Sequence, residues 1–265
     1  MFLSNKPVKK FLFLCQLYPI AGMKILVCIS VVPDTTSKIT FVENNTQFNS
    51  AGVQYILNPY DELAITRGLE IAEANGGSVS IVHVGLVESE PVIRKALSMG
   101  ADEAIRIDAL ASDSQHVAEE IAKIASDYDL ILTGRESIDY NGGAVCGILG
   151  ALLDIPSINV VTRIDYAAGI FTFDRDIDGG RETIRCEGKC VASAQKDLCE
   201  PRIPTMRGIM AARSKPLQII APQGKGNFAT YSNFELPPSK TGVKLIPANE
   251  AGKLIDLLKN EAKII

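Results

Sequence analysis

The strongest constraint on this chain is an alternation running from Met23 to Leu153. A continuous apolar run, KILVCISV (24–31), and the strand-like segments SVSIVHVG (78–85), AIRID (104–108) and DLILTG (129–134) alternate with segments of helical spacing. A run that is apolar at every position is what a parallel strand covered on both faces requires. The helical segments are marked by Ala64, Ile65, Gly68, Leu69 and Ala72, and by Val92, Ile93, Ala96 and Leu97. Two more are marked by Val117, Ala118, Ile121, Ala122 and Ala125, and by Ala144, Val145, Ile148, Leu149 and Leu152. Asn75-Gly76-Gly77 and Gly100 supply stops for the first two. Strand, helix, strand, helix in this order implies right-handed crossovers and an α/β doubly wound parallel sheet.

After Pro156 the texture changes. INVVTRIDY, GIFTFDRDI and RETIRCEG alternate apolar with polar residues and are separated by turn formers, so they read as an antiparallel extension of one sheet edge. VASAQ (191–195) reads as a further core strand. Between the first strand and Asn58, a polar excursion is expected to form a small hairpin. From Pro201 onward seven prolines break the pattern into an irregular arm, closed by an amphipathic helix over 249–265. Residues 1–22 place Lys6, Lys9 and Lys10 before a short apolar run, superficially a secretory signal. They are read as an upstream extension outside the fold, with Met23 as the start of the first strand. The expected division is therefore extension (1–22), nucleotide-binding α/β domain (23–200) and partner-recognition loop, arm and helix (201–265).

Composition excludes several function classes. The 265 residues carry a net charge of -4 with cations spread along the chain, which argues against a nucleic-acid partner. Six cysteines lack any CxxC pair and only two histidines are present, so no metal site is expected. Reduced thiols of a cytoplasmic protein, with no direct membrane insertion, are the expectation.

Two segments point to a site. TGRESIDYNGGAV (133–145) leads from a strand into a helix, where the carboxyl edge of a parallel sheet presents free N–H groups and a positive dipole end. Its glycines let backbone approach a phosphate, and Asn141 is placed either to cap the helix or to donate to an oxygen. It is neither GxxxxGK[ST] nor GxGxxG, and a plain tight turn explains it equally well. NPYDE (58–62) opens a helix with Pro59 in the first turn, bringing Asn58 and Tyr60 to the same edge, where Cys28 also ends a strand. Asp34, Asp61 and Asp139 lie near this edge, but no nucleophile and base converge, and His83 and His116 read as structural, the latter on a surface helix. No catalytic residue is expected, which favours binding over turnover. In RIPTMRGIMAARSK (202–215), Met206, Ile209 and Met210 suit an adaptable partner surface as well as a loop folded back on its own domain.

Taken together, MKILVCISVVPD, NPYDELAI, IRKALSMGADEAIRI, LILTGRESID, RDIDGGRET and EPRIPTMRGIMAARSKPL resemble the electron transfer flavoprotein β subunit, over roughly residues 23 to 220. The resemblance implies an adenine-nucleotide α-hydrolase-like, Rossmann-like sheet and a heterodimer with an α subunit that holds most of the FAD. It implies an electron carrier, not an enzyme, that serves flavin dehydrogenases such as acyl-CoA dehydrogenases and delivers to a quinone oxidoreductase. This chain itself would hold AMP, or a second FAD in a bifurcating complex. Carried over by position, the nucleotide site comprises Cys28, Asn58, Pro59, Tyr60, Asp61, Val84, Gly134, Ser137, Ile138, Asp139, Tyr140, Asn141, Gly142, Gly143, Ala144 and Val145. The family's recognition leucine corresponds to Met206. The chain departs from the family at Tyr140 to Val145, where side chains that would hold a phosphate are replaced and backbone remains. A stand-alone adenine-nucleotide sensor of universal-stress type is the alternative, and it would not need the 201–265 arm.

Overall fold

The computed structural model describes residues 22–224, 226, 228–239 and 242–265. Apart from Gly22, the expected N-terminal extension lies outside the described residues. In chain order the strands begin with β1 (Lys24–Cys28), β2 (Val31–Pro33), β3 (Phe41–Val42), β4 (Gln47–Phe48) and β5 (Tyr55–Leu57), followed by α1 (Pro59–Asn75) and β6 (Ser78–Val84). Next come α2 (Glu90–Ser98), β7 (Glu103–Ile107), α3 (Ser114–Ala125), β8 (Leu130–Gly134) and α4 (Val145–Leu153). The second half holds β9 (Ser157–Ala167), β10 (Ile170–Ile177), β11 (Gly180–Glu187), β12 (Cys190–Ala194), α5 (Met206–Ala212), β13 (Leu217–Ile220) and α6 (Gly252–Asn260).

One nine-stranded sheet runs β11-β10-β9-β12-β8-β1-β6-β7-β13. Strands β9 through β13 in that spatial order pair in parallel, whereas β10 pairs antiparallel with both β9 and β11. The mixed α/β sheet expected from the sequence is therefore present, with its antiparallel extension on one edge. Strand alternation divides the core. Ile25 and Val27 of β1 pack with Ile65 and Leu69 of α1 and Ile93 and Leu97 of α2. Leu26 and Cys28 of the same strand pack with Ala118 and Ile121 of α3 and Leu149 of α4. Both faces of β1 are buried, which is why its sequence is apolar at successive positions.

Three expectations need correction. The run 24–31 is not one strand. It leaves the main sheet after Cys28, and Val31–Pro33 turns aside to pair antiparallel with β5. The arm after Pro201 is not wholly irregular, because it contains α5, and β13 pairs in register with β7 from Leu217↔Ala104 to Ile220↔Ile107. The four residues of β13 are too few to show a period, and the edge of β7 supplies the pairing. His116 is not on the surface. The segment around Gly224 covers it, through Glu120, which accepts N–H groups of Gln223 at 3.0 Å and of Gly224, and His116 is only 5% exposed.

Contact density divides the chain into two units. One joins the α/β sheet with the chain as far as Thr230, and the other comprises Ile39–Asn49 with Tyr231–Ile265. The 201–230 stretch thus packs with the α/β unit. In the smaller unit β3 pairs with β4, Phe41 stacks on Phe234 at 5.0 Å, and the Phe234 N–H donates to the Asn45 carbonyl at 2.8 Å. Its helix α6 has no buried residue, and Leu254, Ile255, Ile264 and Ile265 are exposed.

Candidate functional site

The carboxyl ends of β1, β8 and β6 meet the start of α1 at one edge of the sheet. Pro59 sits in the first turn of α1, and Asn58 is its N-cap residue. The Asn58 side chain makes no capping bond. It is fully buried and reaches across to the loop after β8. Its Nδ2 donates to Asp61 Oδ1 at 3.0 Å and to the Glu136 carbonyl at 2.9 Å, and its Oδ1 accepts the Ile138 N–H at 3.3 Å. Asp61 Oδ2 accepts the Ser30 N–H at 2.6 Å, just beyond β1. Burial pushes the Asp61 carboxyl up to about 7, and hydrogen bonds from Ser30, Asn58 and the Gly134 N–H hold it back from rising further.

Gly134 is needed where it stands. A Cβ there would fall 2.1 Å from Asp61 Oδ1 and 2.9 Å from Tyr60 Cβ. Gly134→Ala is expected to destabilise the chain by about 1–3 kcal/mol, read from the denaturant midpoint, because Asp61 has nowhere to move.

The rest of the loop folds back on itself. Ser137 bridges Gly142, with its N–H donating to the Gly142 carbonyl at 3.1 Å, and Asn141 takes a left-handed turn at φ 53°. Ile138 belongs to this turn, and Asp139 Oδ1 accepts the Tyr140 N–H at 2.8 Å. The Asp139 carboxylate also lies near Tyr55 of β5, whose phenol is raised first by burial and then by that charge. A Cβ at Gly142 would lie 3.4 Å from Ser137 Oγ and 3.8 Å from Ser114 Oγ, so two hydroxyls face the turn. The chain then enters α4 at Val145, whose N-cap residue, Ala144, offers no side-chain bond. Asn141 therefore does not cap α4, because it sits three residues too early and inside the turn. Cys28 lies beneath, its buried thiol pushed up by burial first and then by Asp61 and Cys146. Val84 is buried at the end of β6, in the same cluster as Cys28.

Two residues that sequence reasoning did not single out belong to this edge. Arg135 lays its guanidinium over the Tyr60 ring at 5.9 Å, donates to Gln195 Oε1 at 3.3 Å and pairs with Glu136 at 3.5 Å, leaving a partly exposed cation beside this loop. It lies inside a quoted motif, and its charge was the available signal. Ser114 had none, since only the fold brings the start of α3 to Gly142. Among the described residues no group of three or more His, Cys, Asp or Glu side chains gathers as a metal site, and no helix is long and apolar enough to cross a membrane.

Met206, Ile209 and Met210 are not part of this edge. They lie on α5, with Met206 74% and Met210 69% exposed. Arg94 of α2 anchors the helix end by donating to the Ala212 carbonyl at 2.8 Å and the Lys215 carbonyl at 2.6 Å. A cleft of about 470 Å³ between α2 and α5 is lined by Arg94, Lys95, Ile209 and Arg213 among others. A Cβ on Gly208 would fall 2.4 Å from the Ser98 carbonyl oxygen. Gly208→Ala is therefore expected to lift α5 from α2 and cost about 1–3 kcal/mol. Met206→Ala, on the exposed side, should stay within about 0.5 kcal/mol, and thermal unfolding of the two variants checks the contrast.

An open, doubly wound α/β sheet with a loop-built cleft at its carboxyl edge is a fold class that hosts many ligands. Comparison with known proteins narrows it. Residues 45–223 match the model of the electron transfer flavoprotein domain. The chain is 34% identical to the electron transfer flavoprotein subunit beta of Bacillus subtilis, over 92% of this chain and 100% of that one. It is 32% identical to that of Syntrophomonas wolfei, over 92% and 98%, and 30% identical to that of Homo sapiens, over 85% and 93%. The chain belongs to the electron transfer flavoprotein family, as one of its β subunits. The likeness spans nearly the whole of these relatives, which displaces the stand-alone sensor.

Proposed function

We propose that this chain is the β half of a heterodimeric electron carrier that collects electrons from flavin dehydrogenases, including acyl-CoA dehydrogenases, and passes them to a quinone oxidoreductase. Its partner is an α subunit holding most of the FAD, and the pair works in the cytoplasm. The reading rests on the family membership, together with a cleft whose polar groups suit binding more than bond making.

Within this chain the nucleotide lies along Cys28, Asn58 to Asp61, Val84 and the loop Gly134 to Val145. The observation supporting a phosphate there is the turn at Gly142. The uncapped start of α4 offers N–H groups, Ser137 and Ser114 offer hydroxyls, and Arg135 offers the nearby cation. That donor set fits a phosphate of AMP or of a second FAD. Exposed Met206 and Met210, beside Ile209, form the apolar tip offered to the dehydrogenase.

Mixing the purified heterodimer with an acyl-CoA dehydrogenase and its substrate tests the carrier role. Loss of the oxidised flavin absorbance, slowed at least tenfold by Met206→Asp, is expected. A flavin that stays oxidised with every dehydrogenase offered would contradict the reading.

A further inference from the structure

We propose that Asn58 and Asp61 are positioning residues rather than ligand contacts, and that they act as one unit to set the turn that cradles the nucleotide. The proposal rests on the nucleotide reading above and reassigns two of its residues. Asn58 is 0% and Asp61 2% exposed. Both hydrogens of Asn58 Nδ2 are engaged, on Asp61 Oδ1 at 3.0 Å and the Glu136 carbonyl at 2.9 Å. Its Oδ1 holds the Ile138 N–H at 3.3 Å. Asp61 accepts from Ser30, Asn58 and Gly134, so its oxygens face into the protein.

The consequence is a relay of fixed contacts. Asp61 ties the ends of β1 and β8 to the start of α1 and orients the Asn58 amide. Asn58 then grips the backbone on either side of Ser137, and Ser137 holds Gly142 at 3.1 Å. Gly142 leads directly to the start of α4. An asparagine at an N-cap normally bonds its own helix. Here that bond is forgone and the side chain spans 78 and 80 residues of sequence to the loop instead. The arrangement favours loop geometry over helix capping.

The test uses Asn58→Ala, Asp61→Asn and the double variant in the full heterodimer depleted of AMP, with AMP and FAD as probes. Each single change is expected to weaken binding at least tenfold, and the double change no further than the worse single. In glycine-labelled protein, the amide signals of Gly142 and Gly143 should move with that of Gly134 in every variant. Ser30→Ala, which removes one hydroxyl bond to Asp61, is the mild variant and should move the same signals less. Multiplicative losses, retained affinity, or a shift confined to Gly134 would each overturn the proposal. If the unaltered protein binds neither probe, the nucleotide reading fails separately, and the Gly142 and Gly143 signals still decide the positioning role.

Discussion

Removing residues 231–265 is expected to abolish stable pairing with the α subunit while leaving the α/β unit folded. This tail presents apolar side chains that nothing in its own unit covers. Leu245 is 88%, Val243 78%, Ile264 70%, Ile265 68% and Ile255 61% exposed, and α6 buries none of its residues. A helix of nine residues with an apolar face and no core is marginal alone in water. Burying each such side chain contributes about 1.5–3 kcal/mol, so five amount to roughly 10 kcal/mol before the cost of ordering the tail. Losing that much weakens a complex by many powers of ten. The α/β unit keeps its own two-faced core around β1, so its unfolding midpoint should change little. Size-exclusion chromatography of the co-expressed subunits reads the first outcome, and thermal unfolding of the shortened chain the second.

The second large effect is a pH dependence that belongs to Asp61. Its carboxyl, ordinarily at 3.8, is pushed up to about 7 by burial, against hydrogen bonds from Ser30, Asn58 and Gly134. Between those two values the folded chain holds a proton that the unfolded chain has released. Stability from this group is therefore present at the acid side and lost as pH rises through about 7. Between pH 5.5 and 7.5 the loss is about 2 kcal/mol. His83 works in the opposite direction. Burial lowers its value first, with the Arg106 charge adding to this against a bond to the Ile29 carbonyl, so its neutral fold is penalised at acid pH. The two partly cancel in the unaltered protein. The quantity to read is the difference from Asp61→Asn, in which only His83 remains. The advantage of the unaltered chain over that variant should be about 2 kcal/mol greater at pH 5.5 than at pH 7.5, measured by urea unfolding at both.

What could be read in the sequence follows from what each element depends on. The strands β1, β6 and β8 are buried on both faces, and β1 and β8 record it as mostly apolar runs, while β6 also buries Ser80 and His83. The helices α1 to α4 lie on the sheet and carry its period. Elements that depend on a distant neighbour left little trace. β13 is a strand because β7 offers an edge, and its four residues include the exposed Ile219. His116 opens α3 with the pattern of a surface turn and is buried by a segment more than 100 residues later. At the site, the Asn58-Pro59 start of α1 and the glycines at 142 and 143 were legible as local chemistry. The roles of Asn58 and Asp61 were not, since they consist of bonds to Ser30, Glu136 and Ile138, whose partners no local spacing reveals. Asn141 shows the limit from the other side. Its residue type suits a cap, but the Ser137–Gly142 bridge places it in the left-handed turn instead.

The proposed function makes this chain the β subunit of an electron-carrying heterodimer with a nucleotide of its own. Co-expression with its α subunit, denaturation of the purified complex and a count of released cofactors test it most directly. A one-to-one heterodimer that releases one FAD and a second nucleotide, AMP or another FAD, is the predicted result. An AMP in that second place marks the simple carrier, and a second FAD the bifurcating kind. A chain that stays alone and releases neither flavin nor AMP would contradict the account.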